Sequence, residues 1–217
     1  MNLVLFTYDR PHWKTERLLH ELVSIDRRPC LIVAAPWKQL NLPPSVVLTV
    51  KHRPRHPEVW AKRYGIPYVV CDHETVGVRG ADLGIIGGAR ILPRATIDWF
   101  KIGILNLHPG RIPDNRGLSN ITRALRDGLP QYVTAHLIDE RVDAGRIVLA
   151  KEVSIETGDT IYDLGERIMD IQVEILECAI GNAEAGNSVP VPEDCGGYAP
   201  PLSYDEELEI VQAWEPK

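Results

Sequence analysis

The chain lacks the features that mark several protein classes. Its four cysteines, Cys30, Cys71, Cys178 and Cys195, are scattered with no C-x-x-C pair. Neither a disulfide framework nor a zinc site is expected, and free buried thiols in a reducing cytoplasm are the default. No apolar run approaches the roughly 20 residues that cross a bilayer, so no membrane partner is expected. The opening Met1-Asn2-Leu3-Val4-Leu5-Phe6 is apolar but has neither a basic start nor a cleavage site. It reads as a first strand, not a secretion signal. Basic residues are in the minority, 24 Lys and Arg against 30 Asp and Glu, for a net charge of −6. That balance argues against a bulk electrostatic grip on nucleic acid. One local basic cluster remains, Lys51, Arg53 and Arg55 with His52 and His56. It reads either as a solvated loop or as a clamp for an anionic substrate.

What is present is an alternation of strand and helix signals in 217 residues, enough to bury a core of about 70% of the unfolded surface. Short apolar runs at residues 3–7, 31–35, 68–71, 82–86 and 102–107 read as strands, the first of them buried, with a further short strand at 46–50. Between them, Leu18, Leu19 and Leu22 lie at helical spacing in 13–25, 58–64 is a short helix stopped by Gly65, and Pro93 opens a helix to Lys101. A turn-rich loop follows from His108 to Gly117, then a helix over 119–126. Two strand-like runs, 132–139 and 147–155, flank a connection holding Gly145 and read as a hairpin. From Thr160 one amphipathic helix carries Ile161, Leu164, Ile168, Ile171, Ile175 and Ala179 on one face. This order predicts an α/β fold, a mostly parallel sheet with helices on both faces and antiparallel strands in its C-terminal part. Residues 1–186 would form the catalytic domain and 187–217 a C-terminal extension, with Ile210, Val211 and Trp214 in a short closing helix.

The chemistry concentrates in Asn106-Leu107-His108-Pro109 and, later, Asp143-Ala144-Gly145. Residues two apart in a strand point to one side. Asn106 and His108 should therefore face one pocket together at a strand's carboxyl end, where open α/β sheets bind ligands. Asp143 rides at the tip of the hairpin. An amide, an imidazole and a carboxylate suffice to move an acyl group. A lone histidine at a strand end is more often a satisfied structural group, but the three together form a specific signal.

The run Asn106-Leu107-His108-Pro109-Gly110-Arg111-Ile112-Pro113, with Gly117 and then Asp143-Ala144-Gly145, resembles the formyltransferases that use 10-formyltetrahydrofolate. These include glycinamide ribonucleotide formyltransferase, methionyl-tRNA formyltransferase and the sugar N-formyltransferases. The resemblance covers roughly residues 82–180 and implies a Rossmann-like fold. It also implies 10-formyltetrahydrofolate as co-substrate, with no metal. Carried over, Asn106 would donate to the formyl oxygen. His108 would stabilise that oxygen as it becomes an oxyanion and shuttle a proton. Asp143 would orient His108 and help to take the proton from the incoming amine. Gly88, Arg90, Ile91 and Leu92 stand where the family cradles the pterin, with Asp139, Glu140 and Val142 as the second wall. His136 matches a histidine often found in its strand, and either orients its neighbours or is structural.

The departures narrow the acceptor. Glycinamide ribonucleotide formyltransferases carry a Gly-rich phosphate loop after the first strand; here the place holds Thr7-Tyr8-Asp9-Arg10-Pro11-His12-Trp13. Methionyl-tRNA formyltransferases carry a C-terminal barrel and a basic face, whereas this chain ends in an acidic tail. Formyltetrahydrofolate hydrolases carry an extra N-terminal domain. Gly110 replaces the family's usual serine, which is expected to loosen the loop. A nucleotide-linked amino sugar is therefore the expected acceptor, held by Tyr8, His12, Trp13, Arg53 and Arg116, in a cytoplasmic enzyme for which a homodimer is plausible. The rivals are a hydrolase with the same triad, a glycinamide-ribonucleotide-type enzyme and a non-catalytic folate- or nucleotide-binding protein.

Overall fold

The computed structural model describes residues 1–38, 42–47, 53–73, 77–195 and 197–214. Eight strands among them form one sheet in the order β3-β2-β1-β4-β5-β6-β7-β8. The strands are β1 (Leu3–Tyr8), β2 (Leu31–Ala35), β3 (Tyr68–Val70), β4 (Leu83–Ile86), β5 (Gly103–His108), β6 (Gln131–Leu137), β7 (Arg146–Val153) and β8 (Val189–Pro190). Pairing is parallel from β3 through to β5 and antiparallel from β5 to β8, which is the mixed sheet expected.

Alternation along the central strands supplies both layers. Leu3, Leu5, Leu83, Ile85, Leu105 and Leu107 pack with Leu18, Leu19 and Leu22 of α1 (Trp13–Ser24), Ala61 of α2 (Pro57–Tyr64), and Leu164 and Ile168 of α5 (Ile161–Glu174). Val4, Phe6, Val33 and Ile104 face the other side, against Leu92, Phe100 and Ile97 of α3 (Arg94–Ile97). Because both faces are covered, the inner strands read as continuous apolar runs. No helix among the described residues is long and apolar enough to cross a membrane.

Several expectations change. The helix expected from Pro93 to Lys101 is only four residues long, and Pro93 is its cap. The amphipathic helix from Thr160 breaks at Ile175, leaving α5 and α6 (Leu176–Glu184), yet Ile168, Ile175, Leu176 and Ala179 stay in one core. The strand expected at 46–50 is not seen at Val46 and Val47, which lie in a bend and turn, and 48–50 lie outside the described residues. None of the four cysteines is buried, against the buried thiols expected; Cys30 and Cys178 are exposed.

The end of the chain folds back. β8 adds to the sheet edge, and Ala199 bridges to the loop after β5, donating to Arg116 O and accepting from Leu118 N, both at 3.0 Å. α7 (Tyr204–Trp214) packs on α4 (Asn120–Arg126). Glu207 of α7 is 1% exposed and accepts from Ser45 Oγ at 2.7 Å, Val46 N at 2.8 Å and Thr122 Oγ1 at 3.2 Å. A buried acceptor with three donors holds the tail against two distant segments. Glu207→Ala should lower the unfolding free energy by about 1–3 kcal/mol in urea titration; an unchanged midpoint would show that the tail contributes nothing to stability.

Candidate active site

Ile104 faces one core while Leu105 and Leu107 face the other, so Asn106 and His108 share the face of Ile104 at the end of β5. Across the antiparallel pair, Asn106 is opposite His136 and His108 opposite Thr134. Side chains directly opposite project to the same side, and Asn106 Nδ2 lies 3.3 Å from His136 Nε2. His136 Nδ1 lies 2.8 Å from Ala144 O. A carbonyl only accepts, so Nδ1 carries the proton and Nε2 accepts from the Asn106 amide. His136 is fully buried, and that burial, with the charge of His108 adding, pushes it down to about 4.

The carboxylate arrives from the β6–β7 connection. Gly145 there has φ 91°, and a Cβ would stand 2.2 Å from Leu137 O, so only glycine closes this turn. Asp143 itself sits at φ 46°. Its Oδ1 is 3.4 Å from His108 Nδ1 and 3.9 Å from His136 Nε2, and its Oδ2 accepts from Gly117 N at 2.9 Å. Burial alone would raise the Asp143 carboxyl, but the hydrogen bond and charge of His108, then His136 and the Gly117 N–H, outweigh it and hold the group below its usual range.

His108 is 3% exposed, and its Nε2 lies 2.8 Å from Asn115 O. Both ring nitrogens therefore face protein oxygens. The expectation that Asn106 and His108 would open together onto one pocket changes accordingly. Asn106 and Asp143 line the cavity, whereas His108 lies behind them. Gly110 explains the approach of Asn115. A Cβ at Gly110 would stand 2.6 Å from Asn115 O and 2.8 Å from His108 Nε2. The glycine that was expected to loosen the loop instead lets it close on the imidazole.

The cavity holds about 400 Å³. Gly88, Arg90, Ile91 and Leu92 form one wall and Asp139, Glu140 and Val142 another, and Tyr8 and His12 also line the cavity. Arg90 is braced by Pro36 O at 2.7 Å. His12 caps α1, and burial with the charges of Lys14 and Arg10 pushes it down to about 4.

Three residues expected to hold substrate lie elsewhere. Trp13 packs against the main core, with the Arg17 guanidinium 5.9 Å from its ring, because it lies on the first turn of α1 facing the neighbouring helices. Arg116 is buried. Its Nε and Nη2 donate to Val142 O at 3.0 and 2.7 Å and its Nη1 to Cys195 Sγ at 2.8 Å, so it braces the loop against the hairpin. Arg53 is exposed and away from the cavity wall. In the same basic cluster, Arg55 lies 5.5 Å over Trp60 and His56 caps α2, while Lys51 and His52 lie outside the described residues. Conversely, Lys14 lines the cavity and reaches Asn106, a contact that sequence reasoning missed. Its signal was its spacing: Lys14 precedes Leu18 and Leu22 by one and two helical steps of four, on the stripe that faces inward.

Two measurements test this geometry. Gly110→Ser should cost about 1–3 kcal/mol of stability by overpacking and shift the His108 imidazole ¹⁵N resonances as Asn115 O is displaced; unchanged spectra would refute the close approach. His136 and His12 are held near 4 against 6.5 for the ordinary group. The unfolded chain therefore binds more protons between those values, and stability should fall as pH drops from about 6.5 to about 4. His12→Asn, which keeps a capping side chain, should flatten that fall in urea titrations; an unaltered slope would count against a buried neutral His12.

Known proteins resemble this chain in sequence and in fold. Residues 46–180 match the family model described as formyl transferase. A methionyl-tRNA formyltransferase from Gluconobacter oxydans is 33% identical over 137 residues, 62% of this chain and 44% of that protein. One from Heliobacterium modesticaldum is 31% identical over 158 residues, 68% of this chain and 50% of that protein. The chain thus spans about half the length of these curated relatives. Among solved structures, glycinamide ribonucleotide transformylase 1 from Symbiobacterium toebii superposes with a TM-score of 0.63 at 22% identity, covering 85% of this chain and 89% of that one. An N-formyltransferase from Helicobacter canadensis, solved with folinic acid and dTDP-3-aminofucose, superposes with a TM-score of 0.67 at 16% identity, covering 92% and 71%. These two likenesses describe the fold, and the match over 46–180 describes the family: the chain belongs to the formyl transferases.

Proposed function

We propose that this chain transfers the formyl group of 10-formyltetrahydrofolate to a primary amine, with residues 1–186 as the catalytic domain and 187–217 as an extension folded onto it. The observation that carries the reading is the 3.4 Å contact between Asp143 and His108, set beside an Asn106 amide that opens into the cavity.

The cavity suits the co-substrate. Its volume of about 400 Å³ lies within the usual range for ligand pockets. A Cβ at Gly88 would stand 2.9 Å from the Tyr8 ring, so the wall there is bare backbone. Gly88, Arg90, Ile91, Leu92, Asp139, Glu140 and Val142 would hold the folate, which supplies an activated one-carbon acyl group.

An attacking amine puts negative charge on the formyl oxygen. Asn106 presents an N–H to that oxygen, and a preorganised donor of this kind is worth about 3 kcal/mol. The attacking nitrogen must also lose a proton. Asp143, kept ionised by its neighbours, receives it at the cavity floor. With the His108 Nε2–H committed to Asn115 O, Nδ1 is the nitrogen that shares that proton with Asp143; collapse of the tetrahedral intermediate then breaks the bond from the formyl carbon to folate N10, and the proton taken from the amine passes to N10 as tetrahydrofolate leaves. The amine itself is the nucleophile, so no covalent enzyme intermediate is required.

For the acceptor we favour a nucleotide-linked amino sugar. The support is a planar, cationic group that adjoins Tyr8, a residue of the cavity wall. The Arg10 guanidinium lies 4.0 Å over Trp37, and Tyr8 meets Trp37 edge-on at 5.4 Å. Such a group suits a base and a diphosphate. A second reading, an aminoacyl-tRNA acceptor, is favoured by the curated relatives, which are methionyl-tRNA formyltransferases.

The test is turnover with 10-formyltetrahydrofolate against dTDP- and UDP-linked amino sugars, methionyl-tRNA and glycinamide ribonucleotide. Formylation of an amino sugar is expected, and His108→Ala and Asp143→Asn should each lower kcat by about 10²- to 10⁴-fold. Turnover of methionyl-tRNA alone selects the second reading. Formate release without any acceptor would identify a hydrolase, and folate binding without turnover a non-catalytic protein.

A further inference from the structure

Lys14 belongs to none of the three groups assigned above. It is the second residue of α1 and lies along the cavity wall, with its ammonium deep among protein atoms. Nζ donates to Leu107 O at 2.6 Å and sits 3.5 Å from Asn106 Oδ1. The strong first contact anchors the ammonium on β5, and the longer second one sets it against the side-chain oxygen of the residue before.

Asn106 is therefore held at both ends. Lys14, a donor only, faces Oδ1. His136 Nε2, an acceptor because its Nδ1–H is given to Ala144 O, faces Nδ2. Rotating the amide by half a turn would set NH₂ against an ammonium and oxygen against a lone pair. Both ends would then be repulsive, so one orientation is enforced. An amide has two N–H groups; His136 takes one and the other is left for the cavity.

We propose that Lys14 is a positioning residue for formyl transfer, locking the Asn106 amide so that an N–H, not the carbonyl oxygen, meets the formyl oxygen. This rests on the function proposed above and deepens it. Without the lock, the amide samples the flipped state, in which a lone pair confronts the developing oxyanion.

The surroundings give the device a pH signature. Burial pulls Lys14 down to about 8, with the charge of Asp143 opposing. The titratable groups coupled to it are Asp143 on the β6–β7 connection, His136 on β6 and His12 on the β1–α1 loop. Both histidines are held near 4 and Asp143 is held below its usual range, so none of these changes state between about pH 6 and 9. The ammonium is present below about 8 and fades above it, and the hold on Oδ1 weakens in the same direction.

The experiment is steady-state kinetics of the full chain and two variants, with folinic acid binding measured alongside. Lys14→Met keeps the length and removes the donor. Its kcat should fall by about 10- to 100-fold, while KM for 10-formyltetrahydrofolate and Kd for folinic acid stay within about threefold. The kcat–pH profile of the wild type should decline with a midpoint near 8, and that decline should vanish in Lys14→Met. Lys14→Arg keeps its charge above pH 8 and should hold kcat within about tenfold while also losing the alkaline decline. Should Lys14→Met fail to fold, the profile of Lys14→Arg decides. Wild-type kcat in Lys14→Met, a loss confined to KM, or an alkaline decline that persists in Lys14→Arg would each overturn the assignment while leaving formyl transfer standing. Absence of formyl transfer by the wild type, by contrast, overturns the function and the assignment together.

Discussion

A carboxylate inside a protein has to be compensated, and the Asp143 carboxylate is the point around which this molecule's functional end is built. Removing an ion from water costs several kcal/mol unless charge and hydrogen bonds replace the lost solvation. Two separate elements supply the replacement: His108 at the end of β5 and the Gly117 N–H in the loop between β5 and α4. Each must be in place for the other to hold, so the position of the carboxylate fixes the relative position of strand, hairpin and loop.

The supporting contacts follow the same logic. Arg116, next to Gly117, spends its guanidinium on Val142 O, beside Asp143. Loop and hairpin are thus tied twice, once through the carboxylate and once through the strut. The tail reinforces the arrangement by pairing Ala199 with Gly117. On the other side, Asn115 O caps the His108 ring because Gly110 has no side chain to obstruct it. Nearly every polar group of the site is committed to another protein group. Of the amide, imidazole and carboxylate, Asn106 and Asp143 line the cavity, and these are the two functions that the proposed acyl transfer to an amine requires.

The architecture was legible because it rests on local signals. Buried parallel strands announce themselves as short apolar runs, Gly65 and Gly145 mark a helix end and a turn, and a spacing of two places Asn106 and His108 on one face. Length was less legible: nothing in the apolar stripe from Ile161 to Ala179 signals the break at Ile175, since both halves keep the same core. The residues proposed to hold folate do come together in space: Gly88, Arg90, Ile91, Leu92, Asp139, Glu140 and Val142 meet around one cavity. On the acceptor side, three do not. Trp13, Arg53 and Arg116 have the right chemistry, but a residue type does not say whether its polar atoms point to ligand, solvent or a carbonyl.

By itself the sequence determined the sheet, its two apolar faces and the presence of an amide, an imidazole and a carboxylate in family order, because these depend on periodicity and turn chemistry over a few residues. Only the tertiary structure decided how they are used. It put His108 behind the carboxylate, made a strut of Arg116, brought Lys14 to the amide of Asn106 and turned Gly110 into the gap that admits Asn115. Those outcomes depend on which distant backbone carbonyl or side chain lies within 3–4 Å, and separation along a chain carries no information about that distance.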